Sequence, residues 1–122
     1  MAGTGRRALV VDDTAIMRVI VSRILREAQY DVVEASNGGE AIQAFFRDKP
    51  DVVLMDLNME GIDGTAAIRG ILQIDKDARI VVISATSDAH IVLTLLRLGA
   101  KRYVTKPFTP EKLLDAIKAA LS

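Results

Sequence analysis

The chain of 122 residues contains no cysteine, so it can build neither a disulfide framework nor a thiolate metal site. It has no surplus of charge of either sign, because sixteen Lys and Arg balance sixteen Asp and Glu. A nucleic-acid-binding domain is expected to carry a basic excess, so direct nucleic-acid contact is disfavoured. Long apolar runs are missing too. The longest near the start, Ala8 to Val11, is too short for a signal peptide or a membrane span. Internal repeats, low-complexity tracts and linker-like stretches are absent. The expectation is a soluble cytoplasmic protein without membrane contact, a single domain over 1–122 with residues 1–6 as a frayed terminus and no room for a separate output domain. Half its residues are hydrophobic, and a chain of this size buries roughly 60 to 70% of its unfolded surface.

What is present is a set of short apolar runs that each stop at a chemically useful residue. Leu9-Val10-Val11 ends at Asp12-Asp13, Val52-Val53-Leu54-Met55 at Asp56, Ile80-Val81-Val82-Ile83 at Ser84, and Tyr103-Val104-Thr105 at Lys106-Pro107. Helical periods alternate with these runs. Ile16, Ile20 and Ile24 lie beside Met17, Val21 and Leu25 at four-residue spacing, which predicts a helix from about Thr14 to Ala28. Val32 to Ala35 reads as a second strand. Asn37 then caps a helix toward Asp48 that carries Ala41, Ile42 and Phe45, with Glu40 reaching back and Pro50 preventing continuation.

After a loop over Met59 to Asp63, a third helix buries Ala67, Ile68, Ile71 and Leu72. Ser87-Asp88 caps a fourth helix, and Gly99 ends it as a left-handed cap. Thr109-Pro110-Glu111 supplies an N-cap, a proline at the first helical position and an acid in the first turn of a fifth helix, which packs Leu113, Leu114, Ile117 and Leu121. Parallel strands need crossover helices, and right-handed crossovers dominate. The fold class is therefore α/β, a three-layer doubly wound parallel sheet of five βα units; the flavodoxin-like strand order 2-1-3-4-5 is the expectation, although periodicity fixes the class better than the order.

In such a sheet the carboxyl ends of the strands share one edge, where ligands bind. That edge gathers Asp12, Asp13, Asp56, Ser84 and Lys106. Carboxylates about 4 Å apart repel by roughly 4 kcal/mol at an effective dielectric near 20, so the cluster implies a bound cation or raised pKa values. An all-oxygen set suits magnesium, and a lysine beside it suits an incoming anion. Singly, each residue has a plainer reading. Asp12-Asp13 can cap the first helix, Asp56 and Asn58 can be turn residues, Ser84 a loop starter, Lys106 a solvated lysine, and Tyr103 a half-buried strand aromatic. One aspartate suffices for a cap, however, and metal binding gives the second its reason.

Order, strand ends and spacing agree jointly. In Leu9-Val10-Val11-Asp12-Asp13, Met55-Asp56-Leu57-Asn58-Met59, Asp63-Gly64, Ser84-Ala85, Gly99-Ala100 and Lys106-Pro107-Phe108 the chain resembles the receiver domain of two-component response regulators, CheY-like single-domain members most closely. The resemblance spans residues 7 to 121. It implies that Asp56 is a phosphoacceptor taking a phosphoryl group from the phosphohistidine of a sensor histidine kinase or phosphotransfer protein. It further implies that Asp13, Asp56 and the carbonyl of Asn58 ligate Mg2+, with Asp12 acting through a water. Lys106 and Ser84 would contact phosphoryl oxygens, aided by a cis Lys106-Pro107 peptide and by the small Ala85. Ser84 and Tyr103 would move together on phosphorylation. Such a protein is not an enzyme beyond catalysing its own phosphorylation and dephosphorylation.

Three positions depart from the family pattern: Glu60 stands where proline is usual, Ser84 replaces the commoner threonine, and Thr86 occupies a variable position. Two other classes compete. A haloacid-dehalogenase-type phosphatase with an aspartate nucleophile needs a second aspartate two residues on, where this chain has Asn58. A flavodoxin-like nucleotide or flavin binder needs a glycine- or hydroxyl-rich first loop, not Asp12-Asp13-Thr14. The expected output surface is the face of the fourth helix, fifth strand and fifth helix. From Arg97 to Lys118 it holds six basic residues against Glu111 and Asp115. Receivers that dimerise through this face usually place acids just before the fifth strand, whereas Lys101 and Arg102 stand here. A monomer that binds an acidic, helical target is expected.

Overall fold

A computed structural model describes residues 5–57, 64–85 and 88–122. Strands and helices alternate throughout: β1 (Arg7–Val11), α1 (Ala15–Glu27), β2 (Asp31–Ala35), α2 (Gly38–Asp48), β3 (Val52–Asp56), α3 (Gly64–Ile74), β4 (Ile80–Ser84), α4 (Ala89–Leu98), β5 (Arg102–Thr105) and α5 (Pro110–Leu121). All pairings are parallel, in the order β2-β1-β3-β4-β5, as the sequence predicts. None of the described helices is long and apolar enough to cross a membrane.

Side-chain alternation along the strands divides the interior in two. Leu9, Val11, Val53, Met55, Ile80 and Val82 face α2, α3 and α4, where they meet Ala41, Phe45, Ile68, Ile71 and Leu95. Ala8, Val10, Val52, Leu54, Val81 and Ile83 face α1 and α5, against Val21, Leu25, Leu113 and Ile117. Both β3 and β4 are buried along their whole length. That explains their unbroken apolar runs, since a strand covered on both faces has no solvent side to fill with polar residues. Each fully buried Val, Leu or Ile contributes about 1.5–3 kcal/mol of transfer free energy.

Helix ends follow local chemistry. Asn37 Oδ1 accepts from the Glu40 amide at 2.8 Å, Asp88 Oδ1 from the His90 amide at 2.9 Å, and Thr109 Oγ1 from the Lys112 amide at 3.2 Å. The cap expected at Ser87-Asp88 is thus made by Asp88, while Ser87 lies outside the described residues. Glu40 reaches one residue further back than a capping box requires, and its Oε1 accepts the Ser36 amide and hydroxyl at 2.9 and 2.8 Å. Gly99 closes α4 at φ 134°, a region that disfavours a side chain. Lys49 takes the left-handed position after α2, ahead of Pro50.

One difference from the sequence pattern bears on function. Of the two apolar rows on α1, the sheet takes up Val21 and Leu25, while Ile16, Val19 and Ile20 stay exposed. Ile24 of the outer row still packs against the half-core of Val21 and Leu25, so the row lies at the surface only at its N-terminal end, through Ile16 and Ile20. Residues 1–4 lie outside the described region, and the Arg6 carbonyl already accepts the Asp31 amide at 2.9 Å.

Candidate functional site

Three strand ends and the turn after a fourth build the site. β1 runs directly into Asp12, which is buried, and Asp13, which is exposed. β3 ends on Asp56, only 3% exposed although its carboxylate is a charge. The carboxylates of Asp12, Asp13 and Asp56 each offer an oxygen within 4.8 Å of the other two. Lys106, just past β5, reaches across β4 so that its Nζ lies 3.3 Å from Asp56 Oδ1.

Backbone pairing carries this convergence beyond the strands. The Leu57 amide donates to the Ile83 carbonyl at 3.1 Å, and the Lys106 amide to the Ser84 carbonyl at 2.8 Å. Ser84 is buried at the end of β4, next to Ile83, the register partner of Asp56. The Lys106-Pro107 peptide is cis. Tyr103, half-buried, lies opposite Val82 and packs against the half-core that contains Leu95 and Ala100. Asn58, Met59, Glu60 and Thr86, and with them the carbonyl expected from Asn58, lie outside the described residues.

α3 begins where β3 ends, at very close quarters. A Cβ added to Gly64 would lie 2.8 Å from the Asp56 carbonyl oxygen and 2.9 Å from the Leu57 Cα. Glycine therefore lets the helix start against the residue that carries the central carboxylate.

The plainer reading of Asp12 is correct in part. Its Oδ1 accepts both the amide and the hydroxyl of Thr14, at 2.9 and 2.8 Å, in a turn that leads into α1. Thr14 occupies the N-cap position and makes no side-chain cap bond of its own. Asp13 is not needed for that turn. Three carboxylates so close, with one ammonium among them, form an all-oxygen donor set that a hard divalent cation fits.

One further charged residue, unmarked by any sequence motif, touches the site. Arg18, on α1, donates from Nη1 to the Asp12 carbonyl at 2.7 Å and places Nε 3.4 Å from Glu34 Oε1 on β2. A lone arginine in an amphipathic helix gives no signal of such contacts, since the Asp12 carbonyl is a backbone group and Glu34 lies on another element. Nearby, the Ser36 amide and then its hydroxyl hold the Glu40 carboxyl below the ordinary glutamate range, with a smaller contribution from the Arg18 charge. An apolar groove lies beside the site: Met17, Ile20 and Ile24 of α1 line one wall, and Lys106, Pro107 and Phe108 line the other.

The family model for the response regulator receiver domain matches residues 8–118. The chain belongs to that family. Among relatives of this receiver, the chemotaxis protein CheY of Thermotoga maritima is 40% identical over 114 residues, covering 93% of this chain and 95% of its own. CheY of Bacillus subtilis is 39% identical over 117 residues, covering 95% and 98%. A solved complex of CheX, CheY, beryllofluoride and magnesium from Borrelia burgdorferi contains a chain that superposes with a TM-score of 0.92 at 27% identity, covering 96% of this receiver and 90% of that chain. The protein is accordingly a CheY-like phosphoacceptor response regulator, and the phosphatase and flavodoxin-like alternatives are not favoured.

Proposed function

We propose that Asp56 is the residue that accepts the phosphoryl group, and that the acids around it hold Mg2+ for the reaction. The observation that carries this reading is a buried carboxylate at a strand end, 3.3 Å from an ammonium and within 4.8 Å of two further carboxylates. Asp13, Asp56 and the Asn58 carbonyl are the proposed ligands, with Asp12 acting through a water. Bound there, the ion supplies positive charge against the oxygens of the transferring group. Support comes from the donor set itself and from the Borrelia burgdorferi complex, in which CheY occurs together with beryllofluoride and magnesium.

In the proposed reaction an Asp56 oxygen attacks phosphorus, an oxygen–phosphorus bond forms, and the nitrogen–phosphorus bond of the donor's phosphohistidine breaks. Lys106 stabilises charge on the phosphoryl oxygens, and the Ser84 hydroxyl donates to another of them. The donor is a sensor histidine kinase or a phosphotransfer protein. The apolar groove between α1 and Phe108 supports a protein donor, because it borders Lys106 and is lined chiefly by apolar side chains that a small anionic phosphodonor does not use.

Phosphorylation then biases the Ser84 and Tyr103 arrangement and thereby the α4-β5-α5 face. Ile91, Leu93 and Leu96 are exposed on α4, and Lys101 and Arg102 are exposed beside them in sequence, a combination suited to an acidic helical target. Incubation with Mg2+ and acetyl phosphate tests the site. The protein should gain one phosphoryl mass, and Asp56→Asn should gain none. Equal labelling of the two proteins refutes the assignment.

A further inference from the structure

We propose that Arg18 is a positioning residue for the acidic site: it fixes the peptide between Asp12 and Asp13 and so aims the Asp13 carboxylate. The inference rests on the reading of these acids as a magnesium site and assigns a role to a side chain that does not touch the ion.

Asp12 is tied down on all sides. Its amide donates to the Ala35 carbonyl of β2 at 3.1 Å. Its Oδ1 accepts twice from Thr14, and its carbonyl accepts Arg18 Nη1 at 2.7 Å. The Asp12 carbonyl and the Asp13 amide share one planar peptide unit. Holding that oxygen therefore sets the plane from which the exposed Asp13 departs.

Arg18 can hold the oxygen because it is itself held. Its side chain is 20% exposed, and its Nε faces Glu34 Oε1 at 3.4 Å, while the other oxygen of Glu34 lies 3.7 Å from Arg26 Nη2. β2, α1 and the first loop are thus joined through one guanidinium. The planar fork of arginine suits this, since different nitrogens serve the carbonyl and the carboxylate. A lysine in its place has one nitrogen for both.

Charge and position predict opposite signs, which makes the proposal decidable. A cation near a magnesium site weakens metal binding by repulsion, so if charge alone mattered, removing Arg18 would tighten binding. If Arg18 acts by position, its loss weakens binding, and side chains that orient metal ligands typically matter by 10- to 100-fold.

The experiment is a Mg2+ titration, followed by amide chemical shifts, of the wild type, Arg18→Lys and Arg18→Met. Both variants should bind Mg2+ about tenfold more weakly. Phosphoryl uptake from acetyl phosphate should need correspondingly more Mg2+, yet reach the wild-type rate at saturation, a split that general damage to the fold would not produce. Wild-type affinity in Arg18→Lys, or tighter binding in Arg18→Met, overturns the proposal. Should Arg18→Met not fold, Arg18→Lys decides. A wild type that binds no Mg2+ overturns the magnesium reading, and with it this inference.

Discussion

Neutralising Asp56 should make the metal-free protein more stable while abolishing its function. Asp56 lies within 4.8 Å of Asp12 and Asp13 and 3.3 Å from Lys106. At an effective dielectric near 20, unit charges at 4.8 Å repel by about 3.5 kcal/mol, and opposite charges at 3.3 Å attract by about 5 kcal/mol. Asp56→Asn removes two repulsions and one attraction, a net gain of about 2 kcal/mol. It also relieves the burial of a charge at a residue only 3% exposed. Urea unfolding in EDTA, followed by circular dichroism, should show the midpoint of Asp56→Asn higher by about 1 M. Mg2+ at a hundred times its Kd should reverse the order, because metal bound to the native state then stabilises the wild type by about 2.7 kcal/mol. If Asp56→Asn is less stable than the wild type without metal, the carboxylates do not strain the fold and the electrostatic account of the site is wrong.

Two further outcomes follow from close contacts. Gly64→Ala puts a methyl group 2.8 Å from the Asp56 carbonyl oxygen, and overpacking of about 1–3 kcal/mol should outweigh a helix-propensity gain of about 1 kcal/mol. It should lower both the urea midpoint and the rate of phosphoryl uptake, since the displaced backbone belongs to Asp56, the proposed acceptor; unchanged values for both contradict the contact. Ser22→Ala should do the opposite for stability, because the Ser22 hydroxyl is fully buried in α1 with no hydrogen-bond partner among the described residues. Relief of that unpaired group and better helix propensity should amount to about 1–2 kcal/mol, read as a rise of several degrees in Tm.

Much of this site is legible in the chain because its geometry is a consequence of strand ends. Once Val52 to Met55 and Ile80 to Ile83 are read as buried parallel strands, Asp56 and Ser84 fall on one sheet edge, and the strand order makes their ends adjacent. The exposed row on α1 is less legible: Ile16 and Val21 have the same chemistry, and only the sheet distinguishes them. Glu40 reaching Ser36 rather than Asn37 turns on backbone angles that residue types leave open. Arg18 is the hardest case. Its partners come from β2 and the first loop, so its role exists only in the folded molecule.

The sheet also partitions the history this protein can have. Neighbouring residues of one strand, such as Leu54 and Met55, belong to different half-cores. A substitution in one half is compensated by neighbours in that half, across a layer of backbone that does not repack. The side bearing α2, α3 and α4 can therefore drift in sequence while the side bearing α1 and α5, with the groove beside Lys106, stays as it is. The α4-β5-α5 face draws one helix from each half, so a change in either half reaches it, whereas the groove beside Lys106 answers to one half alone.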